Sequence, residues 1–283
     1  MPVNRGKMRA IEFWKMTGSG NDFILIDNRD VQIKDDEMEI LVKRSCRRRE
    51  SVGADGVIFV TLSDHYDFAW RYFNADGGEV EMCGNGSRCV SRFAFLKGIA
   101  GSKMTFATLA GPVSAEVKNR VVKVLMPVPA GLRMDMDLEH QDGWKSIDFI
   151  NTGVPHVVVR VEDLLNHRVK EQGKDIRYHA RFHPQGTNAD FMKVVGIHQL
   201  EIRTYERGVE DETLACGTGA IACTLVAAAR GMVKSPVEVK TRGGEILTIY
   251  FDTKGSASDE FERVWLEGNT SVVYQGRLNQ EAL

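Results

Sequence analysis

An internal repeat places the strongest constraint on the fold of this chain. Four short motifs occur twice in the same order: a glycine turn, the start of a second strand, an alternating strand, and a cysteine among small residues before an apolar stretch. They cover residues 17–22, 53–55, 72–74 and 82–89 in the first half, and residues 151–156, 188–190, 202–208 and 214–220 in the second. Cys83 follows Gly18 by 65 residues, and Cys216 follows Gly153 by 63. Matched order and spacing predict two homologous halves.

The apolar stretch after each cysteine predicts a short buried helix. The first stops at Gly98 and the second at Gly231, and glycine is common just after a helix. Strand pairs follow around Gly111 and around residues 243–244. We therefore predict an α/β (α+β) fold of two pseudo-symmetric halves. Each half is expected to be a curved, mostly antiparallel sheet or barrel wrapped around its central apolar helix, with the active site in the cleft between the halves.

Proline and glycine at residues 127–131 interrupt a strand and predict the joint between the halves. A further strand at residues 271–274 lies beyond the second repeat and is expected to return to the first domain. The predicted domains are therefore residues 1–128 plus 270–283, which carry Cys83, and residues 129–269, which carry Cys216.

The charge and composition of the chain argue against nucleic acid and membranes as partners. The formal net charge is -2, from 37 basic and 39 acidic residues, which gives no electrostatic footprint for nucleic acid or an anionic membrane. No apolar run is long enough to span a bilayer, and residues 1–9 lack the apolar core of a signal peptide. We expect a cytoplasmic protein acting on a small molecule. A surface helix is predicted over residues 35–50, ending in the basic run 47–49, which we interpret as a solvated face.

The cysteines indicate reduced thiols rather than a disulfide scaffold or a metal site. There are 5 of them, an odd number without the dense spacing of small secreted domains. The gaps from Cys83 to Cys89 and from Cys216 to Cys223 lack the spacing of a zinc knuckle, so no metal is predicted. Cys89 and Cys223, inside apolar helices, are interpreted as core residues, and Cys46 as incidental.

Cys83 and Cys216 have the features of an acid/base pair. The unpaired N–H groups and positive dipole end of a helix favour a thiolate and also bind a carboxylate. Inverting an amino-acid α-carbon requires removing a proton from one face and adding one to the other, and two opposed thiols suffice. No lysine lies in the glycine motifs to carry pyridoxal, so no cofactor is predicted. One thiolate and one thiol are needed together, so the two titrate as a coupled pair.

Seven motifs resemble the diaminopimelate epimerase family over nearly the whole chain. They lie at residues 20–23, 74–77, 82–89, 155–156, 187–188, 206–208 and 215–219. The resemblance implies a cofactor-independent homodimer that interconverts LL- and meso-2,6-diaminopimelate, a step in the biosynthesis of lysine and cell-wall precursors.

The resemblance also implies roles for single residues. Cys83 and Cys216 would be the acid/base pair, and His156 and Glu206 would lie near the thiols and tune their acidity. The implied substrate contacts are Asn21, Asn74, Asn188, Glu206 and Arg207, with the backbone at Gly84, Asn85, Gly217 and Thr218 holding the reacting carboxylate.

Two positions depart from the family pattern. Val154 stands where many members carry asparagine, so one substrate amide is missing, and Gly56 stands where many carry glutamine. Both departures leave the chemistry at the thiols intact and concern the detailed contacts at the distal end of the substrate.

Two other functions fit parts of the sequence. A proline or hydroxyproline racemase of the same fold also uses two cysteines, but the charged motif 206–208 together with Asn85 suits a substrate with a second polar end. A non-catalytic thiol or metal-binding protein is a different class, which stoichiometric zinc in the purified protein would indicate.

Overall fold

The computed structural model describes residues 11–138, 147–254 and 260–279. The strands are β1 Ile11–Gly18, β2 Asn21–Asp27, β3 Gly56–Thr61, β4 Phe68–Asn74, β5 Glu79–Val80, β6 Lys103–Thr108, β7 Gly111–Lys118, β8 Val121–Met126, β9 Ala130–Met136, β10 Ile147–Asn151, β11 Pro155–Arg160, β12 Asn188–Gly196, β13 Gln199–Glu206, β14 Asp211–Thr213, β15 Val237–Lys240, β16 Ile246–Thr253, β17 Phe261–Asn269 and β18 Ser271–Leu278. The helices are α1 Asp35–Ser45, α2 Gly84–Leu96, α3 Val169–Arg177 and α4 Gly217–Ala229, with a 3₁₀ turn at Ala180–Phe182.

The repeat is visible in the order of the elements. From β1 to β9 and again from β10 to β18, strands and helices alternate in the same pattern, with the 3₁₀ turn as the addition in the second copy. The chain forms two compact units, one running to Val122 and resuming at Asn269, the other from Lys123 to Gly268. The boundaries predicted at residues 128 and 269 fall in the β8–β9 connection and at the end of β17.

The first unit is a mixed sheet built from hairpins and helical crossovers. Strand β1 pairs antiparallel with β18 and with β2, and the tight turn between β1 and β2 uses positive φ at Ser19 and Gly20. Strands β2 and β3 are parallel with α1 between them, and β4 and β6 are parallel with α2 between them. Pairs β3–β4 and β6–β7 are antiparallel.

Helices lie on both sides of this sheet. The buried residues of α2 include Cys89, Val90 and Phe93, and the helix contacts β1, β2, β3 and β7. Met38 and Val42 of α1 belong to a separate apolar cluster with residues of β2 and β3. Contacts with these strands position α2 and therefore its N-terminal turn, which Cys83 precedes.

The second unit repeats this arrangement. Strand β10 pairs antiparallel with β9 and β11, β11 and β12 are parallel across α3, and β13 and β15 are parallel across α4. Pairs β12–β13, β15–β16 and β16–β17 are antiparallel. Helix α4 contacts six of these strands, and its residues from Gly219 to Ala228 are all buried.

The predicted fold class is confirmed, with one refinement. Antiparallel pairs predominate, and each parallel pair occurs where a helix separates the two strands, because a short hairpin cannot join parallel neighbours. The last strand of each repeat pairs with the first strand of the other repeat, β9 with β10 and β18 with β1. Within the described ranges no helix is long and apolar enough to cross a membrane, and no group of three or more His, Cys, Asp or Glu side chains could hold a metal ion.

Candidate active site

Cys83 is the residue that precedes α2. Its backbone is extended, with φ -146° and ψ 118°, and its Sγ accepts a hydrogen bond from the Gly86 N–H at 3.4 Å. An extended residue at this position directs its side chain towards the open N–H groups of the first turn. Cys83 therefore lies at the N-terminus of the helix, as the sequence motif predicts.

Cys216 has the same local geometry at α4. Its φ is -125° and its ψ is 112°, and its Sγ accepts from the Gly219 N–H at 3.4 Å. The Thr218 hydroxyl lies 3.4 Å from the same sulfur. The sequence-based placement of a cysteine before each apolar helix is confirmed, and the two sulfurs occupy equivalent positions in the two units.

A chain of hydrogen-bonded side chains extends from the N-terminus of α2. The Arg88 guanidinium, wholly buried, donates to Asn85 Oδ1 at 2.8 Å, and Asn85 Nδ2 donates to Asn21 Oδ1 at 2.6 Å. Asn21 Nδ2 in turn donates to Asp55 Oδ2 at 3.1 Å. These contacts fix the orientation of both amides, and they bring Asn21 and Asn85 together although 64 residues separate them in sequence.

An ion-pair network supports the Asp55 end of this chain. Arg48 donates to Asp22 Oδ1 at 2.6 Å and to Asp55 Oδ1 at 2.8 Å, and the buried Lys15 ammonium lies 2.9 Å from Asp22. Burial alone would raise the pKa of Asp22, but the hydrogen bonds and charges of Arg48 and Lys15 outweigh it and lower the pKa to about 2. The run 47–49 is exposed, as predicted for a solvated face, and Arg48 makes its ion pairs from that exposed position; α1 ends at Ser45, before the run.

The second unit surrounds Cys216 with ionisable groups. His156 Nδ1 and Asp190 Oδ2 are 2.6 Å apart, and both side chains are wholly buried. The Thr204 hydroxyl donates to Asp190 Oδ1 at 2.7 Å. A Cβ on Gly219 would lie only 2.3 Å from that oxygen, so the Asp190 carboxylate is packed against the first turn of α4.

Asn188 connects His156 to the charged motif after β13. Its Nδ2 donates to the Pro155 carbonyl at 3.1 Å and lies 3.5 Å from His156 Nε2. Its Oδ1 accepts from the Arg207 N–H at 2.8 Å, which fixes the backbone between Glu206 and Arg207. Burial raises the pKa of the Glu206 carboxyl.

Electrostatics at Cys216 oppose the thiolate. Burial raises the pKa of the Cys216 thiol well above its usual value, and the negative charges of Glu206 and Asp190 raise it further. The hydrogen bonds from Thr218 and Gly219 act in the opposite direction but do not prevail. The N–H at the helix N-terminus favours the Cys216 thiolate, as expected, but burial and the two carboxylates outweigh it and leave the pKa of the thiol raised.

The predicted site residues fall into two clusters, one per unit. The first unit contains Cys83, Gly84 and Asn85 at the helix, with Asn21 from β2 and Asn74 from β4. The second unit contains Cys216, Gly217, Thr218, His156, Asn188, Glu206 and Arg207. Both cysteine helices also carry a wholly buried core cysteine, Cys89 or Cys223, as predicted.

Sequence reasoning missed the partners that orient these groups. Asp55 holds Asn21, and Asp190 holds His156. Both aspartates occupy equivalent places in the repeat, 28 and 26 residues before their cysteines, and that equivalence was the available signal. Arg88 gave no such signal, because its contacts depend on tertiary packing.

Comparison with known proteins agrees with the two-unit arrangement. The family model described as diaminopimelate epimerase matches residues 13–130 and 149–261, one stretch in each half. A diaminopimelate epimerase of Aquifex aeolicus is 46% identical, over 96% of this chain and 99% of that protein.

Solved structures of lower identity share the fold. A phenazine biosynthesis protein of the PhzF family from Bacillus anthracis has a TM-score of 0.74 at 17% identity, covering 96% of this chain and 100% of that one. A hydroxyproline epimerase from Agrobacterium vitis has a TM-score of 0.71 at 16% identity, covering 97% of this chain and 94% of that one. At such identities the likeness concerns the fold alone. The family match and the closely related full-length sequence go further, and on them the chain belongs to the diaminopimelate epimerase family.

Proposed function

We propose that this protein epimerises LL-2,6-diaminopimelate to the meso form without a cofactor, using Cys83 and Cys216 on opposite faces of one α-carbon. The observation that carries the proposal is the equivalence of the two cysteines. Each precedes an apolar helix, and each sulfur accepts the N–H of the third residue of that helix at 3.4 Å. A cysteine that only fills the core does not require a place at a helix N-terminus, whereas a thiol that acts as acid and base benefits from the N–H groups there.

We assign the roles in the first half-reaction from the surroundings of Cys216, because burial and the charges of Glu206 and Asp190 raise the pKa of its thiol and suit it to donate a proton. Cys83 is then the thiolate that removes the α-hydrogen. The C–H electron pair stays on the α-carbon and is delocalised into the carboxylate, and the proton moves to Cys83 Sγ. The Cys216 S–H then delivers its proton to the opposite face, which leaves Cys216 as the thiolate and the total number of protons unchanged.

The N-terminal N–H groups of α2 and α4 stabilise the charge that develops in this step. As the carbanion forms, negative charge grows on the α-carboxylate, and N–H groups at Gly84, Asn85, Gly217 and Thr218 are suited to bind it. Arg207 and Glu206 offer opposite charges to the distal carboxylate and ammonium of diaminopimelate. Proline and hydroxyproline have no such second charged end, so this charged motif supports the longer substrate.

Deuterium incorporation tests both the substrate and the two-base scheme. The protein is incubated with LL-diaminopimelate in D₂O, and each isomer is analysed by mass spectrometry at early times. We expect deuterium in the meso product but not in the recovered LL isomer, because the delivered proton comes from a sulfur that has exchanged with solvent. Exchange of proline or hydroxyproline instead would contradict the assigned substrate.

Paired cysteine variants test the catalytic assignment. Cys83→Ala and Cys216→Ala should each lose epimerisation by roughly 10²-fold or more. Cys89→Ala and Cys223→Ala are matched controls, because each changes a buried cysteine inside the same helix. They should retain epimerisation activity and lose about 1 kcal/mol of stability. Near-normal turnover in Cys83→Ala or Cys216→Ala would refute the two-base scheme.

The family resemblance further supports a homodimer in the cytoplasm, within lysine and cell-wall precursor biosynthesis. Light scattering coupled to size-exclusion chromatography measures the mass directly. A mass near twice the 31.6 kDa of one chain is expected, and a mass of one chain would contradict the dimer.

A further inference from the structure

The buried pair formed by His156 and Asp190 has a counterpart in the first unit. Asp190 Oδ2 lies 2.6 Å from His156 Nδ1, and Asp55 Oδ2 accepts from Asn21 Nδ2 at 3.1 Å. Each aspartate follows its partner by 34 residues, so the two pairs occupy equivalent places in the repeat. In the first unit the partner is an amide, which does not titrate, whereas in the second it is an imidazole, which can take up a proton. The repeat has therefore diverged at a position that can carry acid/base chemistry.

The neighbours of Asn188 fix which of its amide atoms faces the imidazole. The Arg207 N–H can only donate, and it lies 2.8 Å from Asn188 Oδ1. The Pro155 carbonyl can only accept, and it lies 3.1 Å from Asn188 Nδ2. The amide therefore has one favourable orientation, in which Nδ2 faces His156 Nε2 at 3.5 Å. An N–H on that ring nitrogen would point at the N–H groups of the amide, so this contact favours a lone pair on Nε2.

The contacts on the other side of the ring lead to the same assignment. The Thr204 hydroxyl donates to Asp190 Oδ1 at 2.7 Å, which leaves Oδ2 for His156 Nδ1. A carboxylate can only accept, so Nδ1 carries the ring proton. Both side chains of the pair are wholly buried, and a buried polar group that loses its partner costs about 1–3 kcal/mol. An acceptor at Nδ1 and a donor at Nε2 together select one tautomer.

We propose that Asp190 is a positioning residue that holds His156 in the Nδ1–H tautomer, so that Nε2 is a proton acceptor in the second unit. In this state Nε2 can accept a hydrogen bond or a proton and has none to donate. The aspartate of a Ser-His-Asp triad fixes its histidine in the same way, and asparagine in its place gives the wrong tautomer.

The use of this acceptor in turnover rests on the proposed function, in which His156 tunes the acidity of a thiol. A thiol that passes its proton to Nε2 becomes a thiolate, and the positive charge on the ring is then balanced by the Asp190 carboxylate. The tautomer of the resting protein does not depend on the proposed function.

The test is the nitrogen NMR spectrum of protein made with isotope-labelled histidine, which distinguishes a protonated ring nitrogen from one with a lone pair. The chain contains 7 histidines, so His156→Gln identifies the signals of this ring. In the wild type at neutral pH we expect an unprotonated Nε2 and a protonated Nδ1. The Nδ1 proton should lie far downfield, because a carboxylate accepts it at 2.6 Å. A proton on Nε2, whether as the other tautomer or as the imidazolium, would overturn the proposal.

Asp190→Asn and Asp55→Asn are matched variants, because each neutralises the equivalent aspartate of one unit. Asp190→Asn should move the Nδ1 proton upfield and raise the fraction of the Nε2–H tautomer, since an amide oxygen is a weaker acceptor than a carboxylate and an amide nitrogen cannot accept. Asp55→Asn should leave the His156 signals unchanged. Unchanged signals in Asp190→Asn, or an equal change in both variants, would contradict the role of Asp190. The wild-type spectrum decides the tautomer even if Asp190→Asn does not fold.

Substrate kinetics provide the measurement that concerns turnover. Asp190→Asn should lower kcat for LL-diaminopimelate about tenfold and leave KM nearly unchanged, because Asp190 acts on the ring and not on the substrate. An unchanged kcat, or a rise in KM alone, would contradict a role of the acceptor in turnover. The spectra need no substrate. A wild-type protein without epimerase activity would therefore refute the proposed function, while the spectra still decide the role of Asp190.

Discussion

Gly219→Ala tests whether the Asp190 carboxylate is as tightly held as its contacts indicate. Gly219 lies in the first turn of α4, where alanine by itself would favour the helix by up to about 1 kcal/mol. The new Cβ, however, would lie 2.3 Å from Asp190 Oδ1 and 3.2 Å from the Thr204 hydroxyl. The carboxylate is wholly buried and held by His156 and Thr204, so it can move aside only by breaking those contacts, and the clash decides the sign of the effect.

The magnitude follows from the contacts that must break. Moving Asp190 by about 1 Å disrupts its hydrogen bonds to Thr204 and His156, and leaving buried partners unsatisfied costs about 1–3 kcal/mol for each group. After the helix-propensity gain, we expect a net destabilisation of about 2–4 kcal/mol. For a unit of this size that lowers Tm by about 5–10 °C.

Gly86→Ala is the matched control, because Gly86 holds the same place in α2 relative to Cys83. The tightest contact of its new Cβ would be with the Ile58 Cδ1 methyl at 3.2 Å, the end of a side chain, while Cys83 Cβ and Trp70 Cζ3 would lie at an ordinary 3.5 Å, so Tm should stay close to that of the wild type. Differential scanning calorimetry of the three proteins gives the comparison. If Gly219→Ala unfolds at or above the wild-type temperature, or no lower than Gly86→Ala, the structural account of Asp190 is incorrect.

Two further predictions concern charged groups. The folded-state pKa of Asp22 is lowered to about 2, so its ion pairs contribute roughly 1–2 kcal/mol above pH 4 after screening at the exposed Arg48, and this contribution falls as the pH drops towards 2. Asp22→Asn should therefore lower Tm by more at pH 7 than at pH 2, and an equal difference from wild type at the two pH values would contradict the network. Arg207→Lys should raise KM about tenfold, since a lysine ammonium cannot form the two parallel hydrogen bonds that a guanidinium makes with a carboxylate. An unchanged KM would indicate that Arg207 has a structural role and does not bind the substrate.

Features that depend on local sequence could be predicted without a structure. The two cysteines before apolar helices follow from glycine placement and helix stop signals, and the strand pairs around Gly111 follow from turn chemistry. Repetition strengthened each inference, because the same pattern occurs in both halves. The turn at residues 19–20 and the core positions of Cys89 and Cys223 were accessible for the same reason.

The electrostatic state of Cys216 was decided only by tertiary structure. A helix N-terminus alone favours a thiolate, but burial and the approach of Glu206 and Asp190 reverse the balance. Desolvation and charge proximity depend on which segments pack together, and no local pattern encodes them.

The same limit applies to the groups that orient the site. Arg88 reaches Ser19, and Tyr72 lies against Gly56, through packing between different elements of the chain. Local sequence determined where the two thiols stand on their helices, since capping involves only neighbouring residues. The raised pKa of Cys216 and the orientation of the amides were decided by the tertiary structure, because they arise from burial and from contacts between distant segments.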